Sequence, residues 1–438
     1  MIAIITAGGK GTRLKSITGT EIPKPMVSIL SKPILERQID SLKKSGISKI
    51  IMLLGYQSKS IISYFGDGSL FGINIEYVVE NEPLGSAGGL FYIKDKINED
   101  FIFIFGDLLL DIDWLKLYKY HLDHKKTITL FAHPNSHPYD SDIILLDSNN
   151  NVIGINHKNS LRDNIWLRNI TNAGIYIVSP SIFSLFKTCE KKDFEKDIVS
   201  YFIKENSVCA YISSEYVKDI GTPERYEQAE IDLEQKIVEN KRLSKKQKAI
   251  FLDRDGTINK YVGFLKNIDD FTLIENVSNA IKMINSSSYL AIVITNQPVI
   301  ARGEVSFEEL NEIHGKMDTL LGKDGAYLDA LYFCPHHPTK GFKGERVELK
   351  IDCDCRKPKP GLVFRAEKNY NIDLSKSYFI GDTYQDMMTA LNAGLKGILL
   401  NTGSINKIEK YHCPIYKHCD TLFDAVAYII NKEEKCHD

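Results

Sequence analysis

The chain has 438 residues, of which 43% are hydrophobic and 26% charged, with a formal net charge of −2. That length exceeds one ordinary core, so two or three domains are expected. The charge balance excludes a polybasic nucleic-acid binder, and no apolar run is long enough to span a bilayer. Met1 leads directly into an apolar strand rather than a leader, which makes a cytoplasmic location the expectation. The eight cysteines then read as thiols or metal ligands rather than disulfides.

The opening strand (Ile2, Ala3, Ile4, Ile5) runs into Thr6 to Leu14, TAGGKGTRL. Gly8, Gly9 and Gly11 let backbone N–H groups approach a phosphate, and Lys10 and Arg13 add positive charge. A Rossmann loop stays open as a reading, although the GxGxxG order is absent. Glu21 to Met26 reads EIPKPM, which sets Lys24 between two prolines that stiffen its backbone.

These two motifs resemble the opening signature of the sugar-phosphate nucleotidyltransferase family, AGGxGTRL followed by PKPM. The resemblance runs from Met1 to about Glu230 and extends over EPLGSAGG (Glu82 to Gly89), FIFIFGD (Phe101 to Asp107), TNAG (Thr171 to Gly174) and KDIGTPERY (Lys218 to Tyr226). It implies a three-layer α/β domain that joins a nucleoside triphosphate to a sugar 1-phosphate and releases pyrophosphate. By this resemblance Gly8, Gly9, Gly11, Glu82, Gly85 and Ser86 hold the nucleotide, and Asn172 and Gly174 hold the sugar. Arg13 and Lys24 neutralise phosphate, while Asp107 and Asp219 hold Mg²⁺. Such a transfer needs no covalent enzyme intermediate, so catalysis is positioning plus charge neutralisation. Lys158 falls near the family's sugar-phosphate lysine and reads equally well as a solvated surface residue.

From Glu224 onward apolar residues (Ile231, Leu233, Ile237, Val238) recur at helical spacing among charges, which predicts an amphipathic helix. SKKQK follows, and residues 231–247 read as helix end and linker. The expected domains are 1–230 and 248–438.

Ile250 to Asn259 reads IFLDRDGTIN, an apolar strand ending in Asp253 and Asp255. Two carboxylates that close repel unless a cation sits between them. With Mg²⁺ present, Asp253 can attack phosphorus and Asp255 can shuttle the proton. Two further buried strands, LAIVITNQ (Leu290 to Gln297) and YFIGDTYQD (Tyr378 to Asp386), end in Thr295 and Asp382. Three such strand ends converge on one edge of a parallel sheet. The set resembles the haloacid dehalogenase phosphatase family. That resemblance implies Asp253 as nucleophile and Asp255 as acid/base and, through its carbonyl, a Mg²⁺ ligand. Asp382 is a second Mg²⁺ ligand, oriented by Asp386. Thr295, Asn296, Arg302, Arg356 and Lys357 bind phosphate or substrate.

Between those strands lie FCPHHP (Phe333 to Pro338) and DCDCRKPKPG (Asp352 to Gly361). Cys334, His336, Cys353 and Cys355 form two close pairs whose three thiolates and one imidazole suit a closed structural Zn²⁺ site. His337 is the nearest competing ligand. His412, Cys413, His418 and Cys419 read as ordinary residues, as do Cys189, Cys209 and Cys436. With the zinc pairs, the phosphatase motifs resemble the D-glycero-D-manno-heptose 1,7-bisphosphate 7-phosphatases. Pro298 and Val299 replace that family's usual Ser-Gly, in a loop expected to face the substrate.

The fold expected is thus two three-layer α/β/α domains, the first Rossmann-like and the second HAD-like with a zinc loop. The function expected is bifunctional. Removing the 7-phosphate of heptose bisphosphate leaves heptose 1-phosphate, which the first domain joins to a nucleotide, GTP by pathway analogy, giving GDP-heptose for surface glycan assembly. Partners are small molecules, with no nucleic acid and no membrane, and the cofactors are Mg²⁺ in both domains and Zn²⁺ in the second. One alternative is a hexose 1-phosphate nucleotidyltransferase fused to a histidinol-phosphate-like or other sugar phosphatase. Another is a chain with one inactive domain that acts as a nucleotide-sugar sensor or scaffold.

Overall fold

The computed structural model describes residues 1–8, 22–162, 165–402 and 415–434. Two compact units divide the chain: residues 1–133, 144–156 and 172–242 form the first, and 134–143, 157–171 and 243–438 the second. Among the described residues, no helix is long and apolar enough to cross a membrane.

In the first unit, β1 (Ala3–Ala7), β2 (Lys49–Leu54), β3 (Asn74–Val79) and β4 (Phe101–Phe105) form the parallel centre of a nine-stranded mixed sheet, in the order β4-β1-β2-β3. β1, β2 and β4 are predominantly apolar because both faces are covered, whereas β3 carries Asn74 and Glu76 and is partly exposed. Ile5, Met52 and Ile104 enter a core with Leu35 and Ile39 of α1 (Ile34–Lys44) and Trp114 of α2 (Trp114–His124). On the other face Phe103 stacks on Phe194, ring centroids 4.2 Å apart. A separate antiparallel pair, β5 (Leu108–Asp111) with β6 (Tyr216–Asp219), sets Asp219 opposite Leu108. The amphipathic run after Glu224 is one helix only as far as α3 (Pro223–Glu234). Lys236 then takes a left-handed φ of 58° and breaks it before a short turn of helix at Ile237–Asn240.

The second unit is built on a six-stranded parallel sheet: β7 (Lys248–Leu252), β8 (Tyr289–Asn296), β9 (Ala330–Cys334), β10 (Tyr378–Gly381), β11 (Lys396–Leu400) and β12 (Lys417–Cys419). Their spatial order is β9-β8-β7-β10-β11-β12. The chain reverses direction across the sheet between β7 and β10, the place where ligands bind at the carboxyl ends of an open α/β sheet. Side chains alternate along β7. Ile250 and Leu252 enter one core with Val277, Ile281, Ile313, Met317 and Val426. Ala249 and Phe251 enter the opposite core with Leu362, Val363, Ala366 and Ala390. Helices therefore cover both faces. Both units are Rossmann-like α/β folds.

Two helix starts in this unit matter for the sites. α4 (Phe307–Lys323) begins in a capping box of Ser306 with Glu309, and α5 (Tyr384–Ala393) in one of Thr383 with Asp386. Residues 138–139 and 166–169 pack on α4. Arg168 Nε donates to Asp318 Oδ2 at 2.7 Å and the Asn169 N–H to the same oxygen at 3.1 Å. The helix admits them because Gly315 and Gly322 carry no side chain: an added Cβ would lie 2.6 Å from Trp166 O and 2.6 Å from Pro138 Cγ, respectively. Asp318 is 5% exposed, so removing it leaves buried donors unpaired, at a cost of about 1–3 kcal/mol. Asp318→Ala is expected to lower the denaturant midpoint and speed amide exchange in residues 165–170. The measurement is hydrogen exchange read by mass spectrometry.

Candidate active sites

In the second unit Asp253 follows β7 directly, and its N–H donates to Ile380 O of β10 at 3.0 Å, which ties the two strands at the reversal point. The Lys357 ammonium lies 2.7 Å from Asp253 Oδ1 and 2.6 Å from Asp386 Oδ1. Asp386 is the N3 residue of α5, and its other oxygen accepts from the Thr383 N–H at 3.0 Å, so the helix cap and the site share one carboxylate. Asp253, Asp382 and Asp386 each bring a carboxylate oxygen within 4.8 Å of the others. Gly256 makes that approach possible: its φ is +83°, and an added Cβ would lie 2.1 Å from Asp382 Oδ2.

The electrostatics of this cluster are those of a cation site. Burial raises the Asp253 carboxyl to about 7, with Lys357 opposing and Asp386 and Asp255 reinforcing the shift. Burial, then Asp253 and Asp386, raise Asp382 to about 8. Asp382 Oδ1 is buried and accepts no hydrogen bond. Burial works against the Lys357 charge, yet Asp253 and Asp386 outweigh it and hold its pKa above the ordinary value. Carboxylates that repel each other and one orphaned acceptor fit a divalent cation, whose charge would displace both protons.

The other predicted residues divide. Thr295, at the end of β8, accepts at 3.0 Å from Gln297 Nε2, which also donates to Asp255 Oδ2 at 2.9 Å. Asn296 grips the Lys357 backbone from both sides, accepting its N–H at 3.0 Å and donating to its carbonyl at 3.2 Å. Arg356 donates to His336 O at 3.1 Å. Arg302 is sandwiched between Phe264 and Phe342, at 4.2 and 4.4 Å from the ring centroids, and pairs with Glu304 at 2.9 Å. Its charge is spent on the neighbouring loops. Pro298 and Val299 are buried. Val299 and Ile300 form a small core with Val305 and Leu310, which explains apolar residues there.

Cys334, His336, Cys353 and Cys355 gather as one group. Cys334 Sγ lies 3.5 Å from Cys353 Sγ and 3.3 Å from Cys355 Sγ, and Cys353 and Cys355 are 3.2 Å apart. His336 Nδ1 is 3.7 Å from Cys334 Sγ and 3.2 Å from Cys355 Sγ. A tetrahedral zinc–thiolate site has sulfur–sulfur edges of about 3.8 Å, so this cage is slightly contracted but of the right shape. His337 lies outside it, its Nδ1 3.2 Å from Thr339 O.

In the first unit Lys24 stands at the start of a 3₁₀ turn and its ammonium lies 2.5 Å from Asp107 Oδ2. Asp107 follows β4, and its carbonyl accepts the Ile220 N–H at 3.2 Å, which brings the backbone of Asp219 beside it. Asp219 Oδ2 takes Arg225 Nη1 at 2.5 Å, and Asp219 Oδ1 is buried without a hydrogen-bond partner. That orphaned oxygen fits a cation. Gly8 follows β1, whereas Gly9, Gly11 and Arg13 lie outside the described residues, as do His412, Cys413 and Cys436. Glu82 is exposed. Ser86 accepts the Phe194 N–H at 2.8 Å and approaches Asp193 Oδ2 at 3.2 Å, holding its own loop in place. Asn172 Nδ2 donates to Glu195 Oε1 at 2.5 Å, and Asn172 Oδ1 accepts the Gly174 N–H at 3.2 Å. Lys158 pairs with Asp140 at 3.6 Å on the surface.

Several residues escaped the sequence reading. Glu195 also takes the buried Tyr176 hydroxyl at 2.8 Å. Glu80, whose pKa burial raises, accepts the Leu84 N–H at 3.1 Å at the end of β3. An acid directly after a parallel strand was the available signal for Glu80. Glu195 stands in no motif that marks it.

A nucleotidyl transferase family model matches residues 2–236, and a HAD-hydrolase-like model matches residues 354–425. The D-glycero-β-D-manno-heptose-1,7-bisphosphate 7-phosphatase of Haemophilus ducreyi is 43% identical over 159 residues, which are 36% of this chain and 85% of that protein. The protein of that name from Escherichia coli K12 is 42% identical over 166 residues, 37% of this chain and 83% of that protein. The crystal structure of HddC from Yersinia pseudotuberculosis aligns at 30% identity with a TM-score of 0.47, covering 53% of this chain and 99% of that one.

Proposed function

The chain belongs to the nucleotidyl transferase family and, over its second half, to the family of heptose bisphosphate 7-phosphatases; on that premise we propose that it makes a nucleotide-activated heptose in two steps. Residues 248–438 remove the 7-phosphate of D-glycero-D-manno-heptose 1,7-bisphosphate. Residues 1–230 then join the resulting heptose 1-phosphate to GMP from GTP, releasing pyrophosphate, and residues 231–247 join the two. The observation that carries this reading is the gathering of Asp253, Asp382, Asp386 and Lys357 at the sheet reversal. The phosphatase relatives supply the substrate by name.

The chemistry of the first step is nucleophilic. Asp253 attacks phosphorus and forms an aspartyl-phosphate while Asp255 gives a proton to the departing sugar oxygen. Asp255 then takes a proton from the water that cleaves that phosphate from Asp253. Lys357 and Thr295 bear on the phosphoryl oxygens. Mg²⁺, held by Asp253, Asp382 and the Asp255 carbonyl, would supply charge neutralisation at the phosphoryl group. In the second step a heptose phosphate oxygen displaces pyrophosphate in line at the α-phosphorus. Arg13 and Lys24 neutralise charge, Asn172 and Gly174 hold the sugar, and Asp107 and Asp219 would hold Mg²⁺. Gly8, Gly9, Gly11, Glu82, Gly85 and Ser86 form the nucleotide side. A structural zinc at Cys334, His336, Cys353 and Cys355 would anchor the loop that delivers Arg356 and Lys357.

Asp253→Asn is expected to abolish phosphate release from heptose 1,7-bisphosphate while leaving pyrophosphate release from heptose 1-phosphate and GTP within about twofold of wild type. Coupled phosphate and pyrophosphate assays read both, and loss of both activities would contradict independent sites. Elemental analysis should give one zinc per chain. Chelation should cost the phosphatase most of its activity and spare the transferase, whereas a metal-free preparation with full phosphatase activity would remove the zinc assignment.

A further inference from the structure

Arg254 stands between the two acids of the phosphatase motif, and nothing in the mechanism above uses its side chain. It is fully buried, at 0% exposure. Its backbone and side chain face different partners. The Arg254 N–H donates to Asp253 Oδ1 at 2.7 Å. The guanidinium turns the other way: Nε lies 3.2 Å from Asp255 Oδ1, and Nη2 lies 2.8 Å from Asp255 Oδ1 and 2.8 Å from Oδ2. Asn259 Nδ2 donates to Asp255 Oδ1 at 3.1 Å and Gln297 Nε2 to Oδ2 at 2.9 Å. Both carboxylate oxygens are thus fixed, and Arg254 supplies most of the contacts.

The free end of the guanidinium is itself held. Arg254 Nη1 lies 3.3 Å from His314 Nε2, on the helix α4. His314 is 1% exposed, and its ring packs 5.6 Å from that of Phe333. Burial, then the charges of Arg254 and Arg168, push the imidazole pKa well below its ordinary value. The ring is therefore neutral and accepts from Arg254. A guanidinium with donors on two edges is a planar strut: one edge takes a carboxylate, the other an acceptor, and the plane cannot rotate without losing both.

Resting on the phosphatase reading above, we propose that Arg254 is a positioning residue that aims the carboxylate of the acid/base Asp255, and that His314 fixes the angle of Arg254. General acid–base catalysis contributes about 10²- to 10⁴-fold and depends on the proton lying within hydrogen-bond reach of the leaving oxygen. A buried charge partner alone would do less: it would balance the Asp255 charge without setting its plane. Arg254→Lys separates the two roles, because lysine keeps the charge and loses the fork. His314→Leu removes the acceptor, whereas His314→Gln restores one in Oε1.

The experiment is steady-state phosphate release from heptose 1,7-bisphosphate by the full chain and these three variants. Arg254→Lys is expected to lower kcat about 100-fold with KM within about twofold of wild type. His314→Leu is expected to lower kcat about 10-fold, and His314→Gln to recover most of that loss. Full kcat in Arg254→Lys, or equal losses in the leucine and glutamine variants, would overturn the proposal. If wild type releases no phosphate, the substrate reading falls instead. The crystal structure of His314→Leu then decides the proposal, since Asp255 should leave its place while Asp253 and Lys357 stay. An unmoved Asp255 would overturn it.

Discussion

The second unit is organised around a repulsion. Asp253, Asp382 and Asp386 carry their carboxylates into one buried space, where Asp386 raises the cost of ionising Asp253, and Asp253 and Asp386 raise that of ionising Asp382. Lys357 answers part of that charge from within hydrogen-bond distance of two of them. The cost is borne by the fold: six parallel strands with apolar helices on both faces hold the strand ends where they are. Folding places the acids, and the acids then create the demand for a cation. The cis Lys357–Pro358 bond, the Asn296 grip on the Lys357 backbone and the cysteine–histidine cage before it all lie on the segment that brings the balancing ammonium in.

The first unit solves a related problem with fewer charges. Lys24 is paired with Asp107, and Asp219 is brought beside Asp107 by an antiparallel strand pair rather than by a neighbouring parallel strand. Direct transfer of a nucleotidyl group between two bound molecules, as proposed for this unit, needs no nucleophilic residue. The unit proposed to form a covalent intermediate is the one with the denser charge network among the described residues. The product of its proposed reaction, a sugar 1-phosphate, is the class of substrate proposed for the other unit.

How much was legible in the sequence follows from these geometries. Asp253, Asp382 and Thr295 were readable because each ends an apolar run, and parallel strands present their carboxyl ends on one edge. Cys334, His336, Cys353 and Cys355 were readable as pairs, since each pair is local. The contacts of Arg254 were not, because His314 is 60 residues away in the chain and marked by no motif. Arg302 was read as binding phosphate or substrate; its surroundings of Phe264, Phe342 and Glu304 were not legible, because they come together only once three loops are folded. The membership of residues 134–143 and 157–171 in the second unit was hidden for the same reason: it depends on Gly315, Asp318 and Gly322 lining up along one helix.

The most direct test of two sites acting in series is one reaction mixture: the purified chain, Mg²⁺, GTP and each anomer of heptose 1,7-bisphosphate, followed by mass spectrometry. The account predicts heptose 1-phosphate first, then GDP-heptose with release of pyrophosphate. A bisphosphate that stays intact, or a heptose 1-phosphate that accumulates with every nucleoside triphosphate tried, would contradict it.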